Sequence, residues 1–504
     1  MKKKENKIRI NQIIKHSSKF SGVALFTKVL GFPKAIILAM VLMPEDYGKF
    51  GIATLYASYL GFLSLGNVDA AFREMPGLLK KNKHDEAIFV QNNAFSFDFI
   101  IRTLLLSGFI IYGLFQKDIE MQILIVLAGL WYYLIKIRSY QNVQIMSRME
   151  FSFAARIRLI VSVVSFILAI SLVFIIGIYA LLVPLVISEL VAISYQLIKK
   201  GKLGFKFQIS KDEIIRTSKI GVYLVILSFL YKAFESITSK TIISEYLTEV
   251  DLGLFVFALS IVFLGTQLIK DISVVYKPML WGNADYYLDM KEAFGTVVKV
   301  TQLLGLIGGI IIGLIQIGFI IMVTHVTVNF IDSKWIFLIL SLSIFTVGIQ
   351  APSEFVLTSS RINKQSTTII IWSVALLINI SLSILLIHLG YNIVGVAIAL
   401  VISQTIASSI MITLASRYFF LKKKFLGILI MFLKISIPFF ISIIITIFHW
   451  VMIQKYSIIE LTFKSILIQL LLWSVYIFIL YKKEANTLLN TFRLKQKLPR
   501  RHEE

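Results

Sequence analysis

Uninterrupted apolar runs, each about as long as a bilayer is thick, constrain this chain more than any other feature. Leu159–Ile176, Leu303–Val323, Ile369–Leu389 and Ser465–Tyr481 are examples. At 1.5 Å rise per residue, about 20 helical residues cross the roughly 30 Å hydrocarbon layer. Barrel strands need only about 10 residues and alternate with period two, and that alternation is absent. Composition agrees: of 504 residues, 57% are hydrophobic and only 16% charged. A soluble domain of this size needs far more polar surface to cover its core. The expected fold class is an all-α polytopic membrane protein.

The runs divide into about fourteen spans, at roughly 20–43, 47–66, 95–115, 119–136, 158–176, 179–198, 219–243, 252–276, 295–323, 335–357, 367–388, 391–415, 425–449 and 457–481. Their connections alternate in charge. One side holds roughly 38 Lys and Arg, among them Arg138, Arg148, Arg156, Lys199, Lys200 and Lys422–Lys424, against roughly 4 on the other. Cytoplasmic loops carry such an excess, so both termini are expected in the cytoplasm, at a cell membrane crossed many times. The external connections Gly177–Tyr179 and His388–Asn392 are little more than turns.

An internal repeat organises the spans. Ser18-Lys19, Asp46-Tyr47-Gly48-Lys49-Phe50, Pro76 and Glu86-Ala87 recur in order as Ser218-Lys219, Asp251-Leu252-Gly253-Leu254-Phe255, Pro278 and Glu292-Ala293, displaced by about 200–206 positions. Six spans per copy start both copies on the same side, giving a parallel pseudo-repeat of two lobes about a central cavity, a transporter architecture. The expected division is an N-terminal six-helix lobe at 1–198, a cytoplasmic linker at 199–218, a C-terminal six-helix lobe at 219–415, two additional transmembrane helices at 416–481 and a basic cytoplasmic tail at 482–504.

Other classes fit poorly. The net charge of +23 sits at span ends rather than in an aromatic-interleaved domain, which argues against nucleic acid. There is no cysteine, so neither disulfides nor thiolate metal sites arise, and the six histidines form no ligand pair on a helix face. No metal or cofactor is called for. The basic N-terminus lacks a small-residue cleavage site and reads as leading into a retained first helix.

Charges within apolar helices are costly and therefore informative. Lys28 and Lys34 lie in span 1 without an acid in that span. Span 7 carries Lys232, Glu235 and Lys240, within an arc of roughly 140° at 100° per residue. Unpaired cations facing a central cavity suit a phosphate or pyrophosphate, and Lys28, Lys34, Lys232 and Lys240 are the candidate substrate-binding residues. Asp98 and Arg102, at i,i+4 in span 3, fit a structural ion pair as well as a substrate contact. Lys270 and Asp271 lie towards the cytoplasmic end of span 8, where Lys270, like Lys299, has the snorkelling alternative. Lys434, and Lys464 with Glu460, lie in the two extra spans and read as packing features. The glycines from Gly305 to Gly313 sit inside an apolar span and suggest close helix packing, not a phosphate loop.

The stretch Met43-Pro44-Glu45-Asp46-Tyr47-Gly48-Lys49-Phe50, followed by Leu65-Gly66 and Ala71-Phe72-Arg73-Glu74, resembles the opening of Wzx-type polysaccharide flippases of the multidrug/oligosaccharidyl-lipid/polysaccharide exporter superfamily. The resemblance implies two six-helix bundles, often with two further helices. It also implies translocation, not enzymatic turnover, of undecaprenyl-pyrophosphate-linked oligosaccharide for capsule, O-antigen or related polymers, beside a polysaccharide polymerase machinery. Its motif does not align the lysines one by one. Related alternatives are a cation-coupled multidrug exporter, which would use acids in its lobes, and a lipid II flippase. A membrane glycan polymerase or ligase would need a large external loop, and none is present.

Overall fold

In a computed structural model the described residues are 22–23, 26–60, 65–147, 150–200, 206–286, 290–358, 362, 364–419, 425–453 and 460–478, with the backbone alone described over 274–286, 290–296 and 425–434. Among them there are helices and no strand. The N-terminal lobe comprises α1 (26–41), α2 (Pro44–Leu60), α3 (Asn67–Lys80), α4 (His84–Leu114), α5 (Ile119–Ser147), α6 (Phe151–Ile176) and α7 (Val183–Lys200). The C-terminal lobe comprises α8 (Lys211–Lys232), α9 (Thr238–Tyr246), α10 (Glu249–Tyr286), α11 (Met290–His325), α12 (Ser333–Ser341), α13 (Ser343–Leu357), α14 (Gln365–Leu386) and α15 (Asn392–Phe419). Two further helices follow, α16 (Phe425–Met452) and α17 (Glu460–Phe478).

Ten stretches among the described residues are long and apolar enough to cross a membrane. One of these, Gln365–Arg417, folds back on itself at Gly390 (φ 87°), so that α14 and α15 pack against each other. The chain is a multi-pass helical membrane protein.

The repeated motif has a physical explanation. Asp46 accepts a hydrogen bond from the Met43 backbone N–H at 2.8 Å, and Asp251 accepts one from Thr248 N–H at 3.1 Å, so both copies cap their helix in the same way. The repeated glycines then cross each other. A methyl group on Gly48 would lie 2.1 Å from the Glu249 carbonyl oxygen, and one on Gly253 would lie 1.6 Å from that of Pro44. Only glycine permits this backbone contact of α2 with α10, which joins the lobes at one end. Tyr47 seals that end by packing edge-on against Phe257 (5.6 Å between ring centres) and Phe330 (5.2 Å).

The other end is closed differently. Gly66, at φ 72°, and Gly221 meet so closely that a methyl on either would lie 2.3 or 2.2 Å from the other's carbonyl oxygen. Around them the contacts are polar. The Asn67 side-chain amide donates to Thr217 Oγ1 at 2.8 Å and to Ser218 Oγ at 3.0 Å. Arg216 of α8 holds Glu74 of α3 through two hydrogen bonds of 2.9 and 2.7 Å. Residues 206–210 of the linker run extended along α4, with Asn92, Asn93 and Ser96 accepting from the backbone N–H of Lys206, Ser210 and Gln208.

The glycine-rich segment of α11 behaves as a packing surface. Gly309 lies under Trp473 and Gly313 under Gln469, so α17 seats directly on α11. A buried polar network fastens the same junction: His449 Nδ1–H donates to Gln316 Oε1 at 2.8 Å, and Gln316 Nε2 donates to Ser341 and Thr446, both at 2.8 Å. On the other side of the imidazole, His449 Nε2 pairs with Ser465 of α17.

Candidate substrate path between the lobes

Besides the Arg216–Glu74 pair, charged side chains from the two lobes meet at two further places among the described residues. The first is built by α1, α6 and α10. Arg158 of α6 reaches Asp271 of α10 at 3.2 Å, an ion pair that spans the lobes with both partners half-buried. Lys28 of α1 shares the electrostatic surroundings of Arg158, Lys270 and Asp271. Its Nζ lies 5.9 Å from the Phe263 ring centre, and Lys270 Nζ lies 4.5 Å from that of Tyr231 and 6.0 Å from that of Phe263. Three cations thus converge beside one carboxylate, with aromatic faces supporting two of them.

The second place is built by α3, α4, α5 and α8. Asp98 and Arg102 form a buried ion pair of 2.8 Å, in which the same carboxylate oxygen also accepts from Tyr140 O–H at 2.6 Å. Arg102 further donates to the Leu60 carbonyl at 3.4 Å. Lys136 of α5 and Lys232 of α8 lie in the field of this pair or of Asp69 at the start of α3. Asp69 and Lys232 keep exposed surface although charged groups from both lobes surround them.

Lys34 and Lys240 stand apart from both clusters. Lys34 donates to Ser165 Oγ of α6 at 2.6 Å, and Lys240 donates to Thr54 Oγ1 of α2 at 3.3 Å. Each bond is to a hydroxyl, which leaves the ammonium charge uncompensated by that partner.

The sequence placed Lys232 and Lys240 on one face by assuming a regular 100° step. A π-turn at Ala233–Ile237 intervenes, and its wider turn shifts the register between them. Lys232 accordingly neighbours Lys136 and Asp69, while Lys240 turns to α2. The side chain of Glu235 lies outside the described residues, as do those of Lys299 and Lys434, residues 1–21 and the tail from 482.

The sequence pattern alone does not mark Asp69, Lys136 and Arg158 as site residues. All three sit at span ends, where sequence alone reads a charge as part of the loop pattern. Only the fold shows them turned towards the opposite lobe. An open cleft of about 860 Å³ also lies between α3, α4 and α8, lined by Arg73, Glu74, Lys81, Asp85, Glu213 and Arg216. With Glu86 also in its lining, its four acids outnumber its three bases, so it offers an anion less than the two sites between the lobes.

A family model described as polysaccharide biosynthesis protein matches residues 37–307, more than half of the sequence. The chain belongs to that family. No curated protein matches it. Among solved structures, this family member is similar to a lipid II flippase, MurJ, in an inward closed conformation, with a TM-score of 0.70 at 15% identity, covering 92% of this chain and 99% of that one. It is also similar to an inward-facing multidrug resistance MATE family transporter of the MOP superfamily, with a TM-score of 0.60 at 13% identity, covering 79% and 98%. A Vibrio cholerae MATE transporter gives 0.55 at 13%, covering 82% and 98%. The fold is therefore that of the MOP superfamily, and these neighbours are transporters and flippases, not enzymes.

Proposed function

We propose that this family member is a flippase that moves undecaprenyl-pyrophosphate-linked oligosaccharide units from the inner to the outer leaflet of the cytoplasmic membrane, for assembly of a surface polysaccharide such as capsule or O-antigen. The supporting observation is the convergence of Lys28, Arg158 and Lys270 from opposite lobes on one place beside a single acid, Asp271. Lys136 and Lys232 add a second cationic level, and Lys34 and Lys240 extend the path along α1 and α9.

Moving a pyrophosphate and its sugars through hydrocarbon unaided is prohibitive, because an isolated ion costs tens of kcal/mol by Born solvation. A water-accessible path lined with cations removes that cost, while the polyprenyl chain remains in lipid. Weak, multiple sites suit transport better than one strong site, since the head group must also leave. The charge excess of the loops places the polar α3–α8 closure at the cytoplasmic end and the glycine–aromatic α2–α10 closure at the external end, with both termini inside. Opening one closure and then the other gives alternating access, with the lobes at 1–198 and 219–415 as the rocking bodies and a polysaccharide polymerase as recipient of the product.

Purified protein in liposomes, given a short-chain polyprenyl-pyrophosphate oligosaccharide on one face, tests this reading. Translocation of that lipid, with no uptake of cationic drugs by the same vesicles, is expected. Drug transport without lipid translocation would favour the multidrug exporter reading.

A further inference from the structure

Within the C-terminal lobe, a cavity of about 20 Å³ lies between the π-turn, α10, α13, α14 and α15. Phe234, Thr266, Ser343, Trp372 and Gln404 are among its lining residues. Two of them carry buried polar atoms that bond to nothing in the protein: Trp372 Nε1, on a side chain only 1% exposed, and Gln404 Oε1, on one 6% exposed. The first can only donate a hydrogen bond and the second can only accept one. Leaving such a pair unmet costs more than a made bond returns, so buried polar atoms of this kind are normally satisfied.

The volume decides between an empty void and an occupied one. A water needs about 10–15 Å³ of accessible space and two to four polar partners, and engineered cavities stay dry only when apolar. This cavity meets both conditions with room for one molecule. Thr266 adds a third partner: its hydroxyl proton is already given to the Phe263 carbonyl at 3.0 Å, which leaves Oγ1 free to accept.

We infer that the cavity holds one ordered water, which accepts from Trp372 Nε1–H and donates to Gln404 Oε1 and Thr266 Oγ1. The water fixes the indole of Trp372, on which Tyr231 stands edge-on at 5.3 Å and Phe234 of the π-turn rests at 5.0 Å. Tyr231 in turn carries Lys270 on its face. Trp372 and Gln404 are thereby positioning residues: a bound water deep in the lobe sets the aromatic platform under a cation of the path. A π-turn flanking such a site also accords with the tendency of π-bulges to mark functional positions.

Radiolytic hydroxyl labelling of the full-length protein in detergent, in ¹⁸O-enriched water with mass spectrometric readout, tests this. Radicals formed from a bound water oxidise its neighbours even where bulk water cannot reach. Trp372 is expected to take up label, while Tyr140, equally buried at 1% exposure, stays unlabelled. Gln404→Leu, which removes the acceptor at similar volume, is expected to lower Trp372 labelling at least threefold. Trp372 as inert as Tyr140 in the unaltered protein would overturn the inference. So would equal labelling of Trp372 in the unaltered protein and in folded Gln404→Leu, because the oxidant would then arrive by opening of the lobe.

Discussion

Asp98 and Arg102 show how a single charge can be assigned by its partners. The carboxylate is shared by Arg102 and Tyr140, and both charged groups are buried. Removing one member of such a pair strands the other, at about 3–5 kcal/mol, whereas removing both is far milder. Asp98→Ala is therefore expected to lower thermal stability strongly, and Asp98→Ala with Arg102→Leu to recover most of it, as melting curves in detergent would report. A stable double variant that also loses translocation would move the pair from structure to substrate contact. Arg158 and Asp271 differ, being half-buried and crossing the lobes. Asp271→Asn frees Arg158 beside Lys28 and Lys270, so a tighter apparent affinity for the pyrophosphate lipid is expected in a binding assay, and an unchanged value would argue that the carboxylate does not compete with the head group.

At the scale of helices, the two closures are made of different materials. The α2–α10 contact is glycine on carbonyl with aromatic packing, and it has no slack: Gly253→Val forces a side chain into the Pro44 carbonyl. Overpacking of this kind costs about 1–3 kcal/mol, and here it is expected to hold that end apart, measured as increased accessibility of a reporter near Tyr47. The α3–α8 closure rests on hydrogen bonds and ion pairs, which exchange readily with water. Because the chain has no cysteine, the pair Asn67→Cys with Thr217→Cys can be introduced cleanly where the native side chains meet at 2.8 Å. Oxidation is expected to cross-link the pair and stop transport, and reduction to restore it. Full transport in the cross-linked protein would mean that this end does not open during the cycle. The Asp-x-Gly-x-Phe repeat was legible in the sequence because cap and crossing demand particular residues. The π-turn in Ala233–Ile237 was not, since nothing in Ala-Phe-Glu-Ser-Ile distinguishes a wider turn from a regular helical one.

For the molecule as a whole, the class of fold could be read from apolar run length alone, because the bilayer imposes the same satisfied-backbone requirement on every span. The glycines of α11 likewise disclosed a packing surface, later met by Trp473 and Gln469. The site was legible only in part. Lys28 stood out because a charge within an apolar span is expensive, but Arg158 and Lys136 hide among span-end charges until the lobes are brought together. What unites the parts is electrostatic: cations kept between two lobes that touch at both ends, in a family devoted to polysaccharide biosynthesis. The most direct test is translocation of a polyprenyl-pyrophosphate oligosaccharide in liposomes by the Lys28→Ala and Lys232→Ala variants, singly and together, at matched protein incorporation. A drop of at least about tenfold in the double variant, equivalent to about 1.4 kcal/mol, is the predicted result, and transport at the unaltered rate in all three would contradict the account.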